Sequence, residues 1–186
     1  MLVNCRDQDP QAMKGNILAM CELAKICNIP SVITSSMADG PNGPIMPEIT
    51  EILPDAPIVN RAGEINAWDS PEFKAAIENT GRKKLIICGI VTDVCVMFPA
   101  ISATRDGYDV YAVVDASGTW NDMVLQASMQ RMSQAGIKVS TWASVLAEIM
   151  QDWRSEKGME LGGLLAKHLS YGWVYSSYMA NTKEEN

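Results

Sequence analysis

The sequence has few of the residues on which several common functional classes depend. Its single histidine, His168, lies in a weakly patterned C-terminal part, so a Ser-His-Asp or Cys-His arrangement lacks a general base unless that part folds back. Formal net charge is −7, and Lys and Arg form no stripe or cluster interleaved with aromatic residues, which argues against nucleic acid and an anionic membrane surface as partners. No apolar run approaches the roughly 20 residues that cross a bilayer.

The sequence also shows neither the cysteine spacing of a disulfide framework nor the pattern of a secretory signal. The five cysteines are odd in number and have no paired spacing, and three of them lie in apolar periodic segments where free cysteine acts as a small hydrophobe. The first ten residues, MLVNCRDQDP, have no basic start followed by an apolar stretch of about 7 to 15 residues. We therefore expect a protein of the reducing cytoplasm.

Short apolar runs typical of strands alternate with segments of helical periodicity. One helical face of apolar residues runs from Gln11 to Asn28, and Ser70 followed by Pro71 predicts the capped start of a helix that ends at Gly81. The strand-like runs are SVITSS, APIVNR, KKLIICGIV, YDVYAVVDA and KVSTWA. This alternation predicts an α/β fold, a Rossmann-like three-layer α/β/α sandwich around a parallel sheet with right-handed crossovers.

The length of 186 residues suits one domain with a C-terminal extension. The regular alternation closes with helices predicted over residues 122–134 and 144–154, so residues 1–154 are assigned to the domain. Residues 155–186 mix Gly, Tyr, Trp and Met without a period and predict a helix near 161–169 followed by an extended aromatic tail. Such a tail packs on a neighbouring subunit more often than it carries chemistry, so we expect an oligomer contact.

Cys95 follows the most apolar strand, at a predicted strand-to-helix junction. Ligands of open α/β sheets bind at the carboxyl ends of the strands, so this loop is the first place to search for a site. Thr92 or Asp93 is the predicted cap of the following helix, which we expect to kink at Pro99. Unpaired N–H groups at a helix start favour a thiolate and can hold an oxyanion. The alternative is a small buried cysteine, the role that we assign to Cys88 in mid-strand.

Several segments resemble one known family of enzymes. IICGIVTDVCV, followed by DGYDVYAVVDASGT, is similar to the nucleophile segment of the isochorismatase-like cysteine hydrolases, with most resemblance to their YcaC-like branch. GPNGPIMPEI, NRAGEINAWD, FPAISA and RMSQAGIKVSTW resemble the same branch. The resemblance extends from about Asp7 to Arg154, and it identifies residues 1–154 as an isochorismatase-like hydrolase domain.

The resemblance implies a site made of an aspartate base, a lysine and a cysteine nucleophile, which passes through a thioester-like intermediate that water resolves. Cys95 occupies the position of the nucleophile, and Arg61 occupies the position of the lysine. A guanidinium cannot shuttle protons, but it can hold a carboxylate and stabilise a neighbouring thiolate. The alternative for Arg61 is an ordinary solvated arginine.

The resemblance also implies a backbone site for the oxyanion. It implies a cis peptide bond between Ile90 and Val91, which would aim a backbone N–H at the oxyanion together with that of Cys95. Thr92 is carried over with this turn as a substrate-binding residue. Trp68, in the segment NAWD, is expected either to wall the pocket or to pack in the core.

One member of the family's site has no counterpart in the sequence. In the family the aspartate ends a first strand upstream of the helix that here begins near Gln11, and MLVNCRDQDP has no room for that strand. Asp7 and Asp9 fall after this place and are interpreted as turn and cap residues. The first strand should lie in the middle of the sheet, so its absence would leave its neighbours with unpaired edges. Either the sequence is a shortened version of a longer protein or another segment fills the gap.

Two hypotheses about function follow from these residues, and a third is less favoured. The first is a hydrolase that acts on a small amide, ester or related substrate through a covalent intermediate on Cys95. The second is a non-catalytic, oligomeric binding protein of the same fold that has lost its acid. The third, a thiol oxidation sensor, needs a resolving cysteine, and the nearest in sequence, Cys88, faces into a strand.

The sequence predicts neither a metal nor a cofactor. Metal-binding relatives use an aspartate with several histidines, and this chain has one histidine. The segment GPNGP lacks the lysine and the strand-to-helix placement of a phosphate-cradling loop. The expected partners are a small-molecule substrate and further copies of the chain, because the resemblance implies a homo-oligomer in the form of a ring or double ring.

Overall fold

The computed structural model describes residues 1–182 and contains, over that range, eight α-helices and five short parallel strands. The helices are α1 (Pro10–Ile26), α2 (Pro47–Ile52), α3 (Pro71–Asn79), α4 (Met97–Arg105), α5 (Asp122–Gln134), α6 (Trp142–Met150), α7 (Gly158–His168) and α8 (Tyr171–Thr182). The strands are β1 (Ile33–Ser36), β2 (Ile58–Arg61), β3 (Lys84–Ile87), β4 (Asp109–Val113) and β5 (Lys138–Ser140). Strands and helices alternate, which confirms the predicted α/β class.

The strands form two hydrogen-bonded sets instead of the single sheet that the pattern predicts. β1 pairs in parallel with β2, and β3, β4 and β5 pair in parallel in that order. Within residues 1–182 no ladder joins the two sets. One edge of β1 and one edge of β3 therefore have no strand partner over the described range.

Strands β3 and β4 send alternate side chains into two cores, as the period of two in a strand requires. Leu85 and Val110 belong to a cluster formed with residues of α3, α4 and α5. Ile86 and Val113 pack into a second cluster, which contains residues of α1, α6 and α7. Helices thus cover both faces of these strands, and this arrangement gives the three layers that the sequence predicts.

Two helix starts show how local sequence fixes the element boundaries. The side chain of Asp9 accepts the backbone N–H groups of Gln11 and Ala12 at 3.0 and 2.9 Å, which confirms its interpretation as a cap. The hydroxyl of Ser70 accepts the N–H of Phe73 at 3.4 Å at the start of α3. Both helices have proline as their first residue, where the missing N–H costs nothing.

The C-terminal part differs from its prediction. Helix α7 packs against α1 and buries Leu161 and Leu164 in the core, close to the predicted helix near residues 161–169. The extended tail is wrong over residues 171–182, because these form helix α8, which packs chiefly against α7. Residues 183–186 of that tail lie outside the described range. Over the described range, no helix has both the length and the hydropathy that crossing a membrane requires.

Candidate active site

Cys95 lies in an irregular connection between β3 and α4. Gly89 adopts a φ of +147°, which glycine reaches without a steric penalty, and the peptide bond between Ile90 and Val91 is cis, as the resemblance implies. Residues 92–96 then form one turn of π-helix before α4 begins at Met97. Cys95 is the fourth residue of this turn, and its side chain is partly buried.

The predicted caps of this helix are wrong, since neither Thr92 nor Asp93 caps it with its side chain. The N–H of Thr92 donates to the carbonyl of Gly118 at 2.9 Å, and its hydroxyl is buried without a hydrogen-bond partner. A carboxylate oxygen of Asp93 accepts the hydroxyl of Thr119 at 2.7 Å. Both residues therefore join the Cys95 turn to the loop that follows β4, and the turn is positioned by that loop.

The predicted kink at Pro99 takes a different form. The irregularity lies upstream, where the π-helical turn of residues 92–96 gives way to the α-helix at Met97. Pro99 falls in the first turn of α4, where a missing N–H is tolerated. Val91 is buried, and its carbonyl accepts the N–H groups of Val94 and Val96 at 3.3 and 3.2 Å. These bonds fix the start of the turn that carries Cys95.

Arg61 is the last residue of β2 and is buried, with 6% of its surface exposed. Its Nε donates to the hydroxyl of Thr34 at 3.0 Å. Its Nη1 donates to the carbonyl of Ile65 at 3.3 Å and to the carbonyl of Glu64. The alternative of a solvated arginine is therefore wrong, because strand β1 and the loop after β2 together hold the guanidinium in one orientation.

The electrostatic surroundings of Arg61 bring Cys95 into the same site. Burial lowers the pKa of Arg61, whereas the nearby Cys95 and Glu64 act in the opposite direction. An arginine stays protonated across the physiological range, so a fixed positive charge faces the thiol. Arg61 and Cys95 are thus neighbours, although they come from different hydrogen-bonded sets of strands.

Glu64 is a site residue that the sequence reasoning missed. Backbone N–H groups of Glu64 itself and of Gly63 lower the pKa of this carboxyl, and Arg61 lowers it further. The carboxylate is therefore negative at neutral pH, and Glu64, like Cys95, acts electrostatically on Arg61. Its position three residues after Arg61, in the loop that follows the strand, is the signal that could have identified it.

Trp68 is a buried residue of the short turn before α3. Its indole N–H donates to a carboxylate oxygen of Asp106 at 2.9 Å, and its ring packs edge-on against Tyr108 with ring centroids 5.4 Å apart. Trp68 and Tyr108 both belong to the core cluster around α4. Of the two interpretations of Trp68, these contacts fit the packed core residue.

Asp7 lies beside the loop after β4. Its Oδ1 accepts the N–H of Thr119 at 2.9 Å, while its Oδ2 is buried without a hydrogen-bond partner. Thr119 in turn donates to Asp93, so a short chain of hydrogen bonds leads from the N-terminal segment to the turn of Cys95. This position fits a turn residue that braces the site.

The other cysteines are in surroundings that keep them as thiols. Burial raises the pKa of Cys88 to about 12, and the nearby Cys21 and Asp115 add to this effect. Burial raises the pKa of Cys21 to about 11. Buried, protonated thiols of this kind are inert, whereas Cys95 lies within electrostatic range of the buried Arg61.

The single histidine is occupied in helix packing. The Nε2 atom of His168 lies 3.3 Å from a carboxylate oxygen of Glu22 on α1, and its ring packs edge-on against Trp142. Over residues 1–182 no group of three or more His, Cys, Asp or Glu side chains is arranged to hold a metal ion.

Comparisons with known proteins agree with this architecture. A family model described as the isochorismatase domain matches residues 7–144. The probable hydrolase YcaC of Escherichia coli is 44% identical over 182 residues, which are 97% of this chain and 86% of that protein. A solved structure of YcaC from Escherichia coli, described as an octameric hydrolase of unknown specificity, is 45% identical with a TM-score of 0.92 and covers 96% of this chain and 88% of its own.

A second solved structure is YcaC from Pseudomonas aeruginosa with hexane-2,5-diol and covalent acrylamide. It is 45% identical with a TM-score of 0.91, and the alignment covers 95% of this chain and 88% of that chain. The family model spans well over half of the sequence, and the relatives align along nearly all of it. The chain therefore belongs to the isochorismatase family.

Proposed function

We propose that this protein is a cysteine hydrolase of small amide, ester or related substrates, with Cys95 as its nucleophile. The observation that carries the proposal is the pairing of a partly buried thiol with a buried cation, Arg61, at the carboxyl ends of parallel strands. A fixed positive charge in a water-poor site favours the thiolate, which is the reactive form of cysteine.

In the proposed reaction, the thiolate of Cys95 attacks the carbonyl carbon of the substrate, and the carbonyl electron pair moves onto oxygen. The backbone N–H groups of Val91 and Cys95 are the proposed donors to this oxyanion. Collapse of the intermediate expels the amine or alcohol, which takes a proton from water and leaves a thioester. The hydroxide from that water attacks the thioester, releases the carboxylic acid and restores the thiolate.

Arg61 and Glu64 have separate roles in this scheme. Arg61 offsets the negative charge on the sulfur before attack and after release of the product. Glu64 supplies the carbonyl that orients the guanidinium and a carboxylate that shares its field. The proton of the Cys95 thiol passes to solvent when the thiolate forms, and this is the step that a general base would assist.

A covalent adduct in a relative supports the choice of nucleophile. YcaC from Pseudomonas aeruginosa, at 45% identity, was solved with covalent acrylamide. Acrylamide is an electrophile that thiolates attack readily, so a reactive cysteine in this chain should accept it as well. The sulfur adds to the alkene carbon and leaves the amide intact, so acrylamide is a probe of the thiol and the substrate panel is a separate test.

The test is acrylamide labelling at neutral pH, followed by mass spectrometry, together with turnover on a panel of small amides and esters. Cys95→Ser should lose the adduct and the turnover, whereas the matched variant Cys27→Ser should keep both. Cys27 suits the control because it is also partly buried, and burial raises its pKa. Labelling that is equal at the two cysteines would overturn the proposal.

A second candidate is a non-catalytic binding protein of the same fold. It is favoured by the position of Asp7, which is bonded to Thr119 and is not among the charged groups that act on Arg61. This candidate predicts no turnover with any amide or ester, and ligand binding that survives Cys95→Ala. Turnover that rises when formate is added as an external base would instead support a hydrolase whose internal base is incomplete.

We also infer that copies of this chain assemble into a homo-oligomer. The inference is supported by YcaC from Escherichia coli, an octamer at 45% identity whose alignment covers 96% of this chain. Light scattering on the purified protein tests it, since a monomeric mass at all concentrations would contradict the assembly.

A further inference from the structure

The connections that follow the strands carry acidic side chains and no basic ones. In a parallel α/β fold these connections line the edge at which ligands bind. In the part of the chain that the structure describes, they are residues 37–46, 62–70, 88–96, 114–121 and 141, and none of them is Lys or Arg. Five acidic residues lie in these connections: Asp39, Glu64, Asp69, Asp93 and Asp115. The edge that holds Cys95 is therefore negatively charged.

The positive charge of Arg61 is largely used within the protein. Its Nε donates to the hydroxyl of Thr34, and its Nη1 donates to the carbonyls of Glu64 and Ile65. The carboxylate of Glu64 acts on the guanidinium electrostatically, and so does Cys95. An anion that enters the site thus meets a cation whose charge is already offset by two neighbours.

Other cations near this edge are paired or exposed. Lys14 and Lys74, close to the starts of α1 and α3, form ion pairs with Glu48 and Asp106. Arg6 lies beside the loop after β4, but its side chain is exposed and an aspartate follows it directly in the chain. These residues therefore do not reverse the charge of the acidic connections.

The carboxylate of Glu64 is held in place by its own loop. The carbonyl of Glu64 accepts Arg61 Nη1 and also the hydroxyl of Ser36, at 3.4 Å for the latter. Its Oε2 accepts the backbone N–H of Gly63 at 3.2 Å. The loop is thus tied to the ends of both β1 and β2, and it keeps a negative group next to the guanidinium. A fixed like charge of this kind is a means of rejecting a wrong ligand.

Two apolar side chains accompany Arg61. The backbone N–H of Met37 donates to the carbonyl of Arg61 at 3.0 Å, and the carbonyl of Ile65 accepts Arg61 Nη1 at 3.3 Å. Met37 is 50% exposed and Ile65 is 64% exposed, so each offers apolar surface beside the cation. Ligand sites combine such surface with a few polar groups that orient the ligand.

We propose that the site takes uncharged substrates with an apolar group and rejects substrates that carry a carboxylate, with Glu64 as a specificity-determining residue. This inference rests on the proposed function of Cys95 as a nucleophile. It narrows the substrate class to neutral amides and esters, because an anionic acyl group would lie among the acidic connections.

The test compares iodoacetamide with iodoacetate, two alkylating agents of similar size that differ in charge. The ratio of their rates at Cys95 is measured by mass spectrometry in the folded protein and divided by the same ratio in the urea-unfolded chain. This quotient removes the intrinsic difference between the reagents and the effect of thiol ionisation. We expect iodoacetate to be disfavoured by about threefold or more in the folded protein, the size of a like-charge repulsion in a solvated site.

Glu64→Gln should restore at least half of the loss. The matched control is Glu148→Gln, which removes the same charge at the opposite edge, where Glu148 lines a small cavity with Lys84, the first residue of β3. Its quotient should equal that of the wild type. A wild-type quotient that shows no preference for iodoacetamide, or equal changes in the two variants, would overturn the proposal.

A pair of esters separates this inference from the proposed function. Para-nitrophenyl butyrate and the para-nitrophenyl monoester of succinate have acyl chains of similar length, and only the second carries a carboxylate. The butyrate ester should have the higher kcat/KM. Turnover of the succinate ester at an equal or higher kcat/KM would overturn the selectivity and uphold the hydrolase. Failure to turn over either ester, with the alkylation preference intact, would count against the hydrolase and uphold the selectivity of the Cys95 site.

Discussion

Replacing Arg61 with methionine should weaken both the fold and the reactivity of Cys95. Methionine fills most of the same volume but removes the charge and the donors that hold Thr34, Glu64 and Ile65. A hydrogen bond to a charged donor contributes about 1.5–3 kcal/mol to stability. Two of these groups keep another bond, since Thr34 still donates to a carbonyl and the carbonyl of Glu64 still accepts a hydroxyl.

The expected loss of stability is therefore about 2 kcal/mol. With a denaturant dependence of about 2 kcal/mol per molar urea, the unfolding midpoint should fall by about 1 M. Arg61→Lys keeps the charge but has one nitrogen in place of the guanidinium fork, so its midpoint should lie between those of the wild type and Arg61→Met.

The second readout is the rate of acrylamide addition to Cys95 in the folded protein. Without the cation, alkylation of Cys95 should be slower, because a positive charge near the sulfur favours the thiolate that attacks acrylamide. Arg61→Lys should retain most of the rate. A variant Arg61→Met that unfolds at the urea midpoint of the wild type and alkylates at the same rate would refute the assignment of Arg61 to this site.

Three further predictions concern titratable groups outside the site. Burial holds the pKa of Cys88 at about 12, so alkylation at pH 7.5 should reach Cys88 only on unfolding, which mass spectrometry with and without urea will show. Burial raises the pKa of Asp115, so the contribution of this residue to stability is present at low pH and is lost as pH rises. Asp115→Asn keeps an acceptor for the N–H of Trp142 and carries no charge. At pH 7 this variant should therefore melt at or above the wild-type temperature. Burial alone would raise the pKa of Glu22, but hydrogen bonds from two basic side chains of α7 outweigh this effect and lower the pKa. Glu22→Gln should therefore lower the melting temperature at pH 7. The difference in melting temperature from the wild type should shrink as pH falls below about 4.

Much of the fold is predictable from the sequence because each element is marked locally. The boundaries of α5 match their prediction, and Asp9 and Ser70 cap their helices with the expected side-chain bonds. The division of the strands into two sets depends on which distant segments pair with each other. The local sequence pattern of each strand does not contain this information. Helix α8 was mistaken for an extended tail, because a helix without amphipathic periodicity gives no period to detect.

The site is predictable to a similar extent. Arg61 ends one apolar strand and Cys95 follows another, so both are expected at the carboxyl edge of the strands, and the electrostatic effect of Cys95 on Arg61 agrees with this placement. Glu64 and Thr34 were missed because they act on Arg61 through contacts that depend on loop conformation. The π-helical turn at Cys95 was also missed, since its geometry depends on hydrogen bonds to the loop around Gly118.

The unpaired edges of β1 and β3 have a consequence for the behaviour of the protein during production. A strand edge with exposed N–H and C=O groups is a template on which another chain can add a strand. During refolding from urea, many such edges are present at once, so intermolecular pairing competes with folding and grows with concentration. The yield of soluble protein should therefore fall as refolding concentration rises, and a chaperone that binds extended segments should restore it.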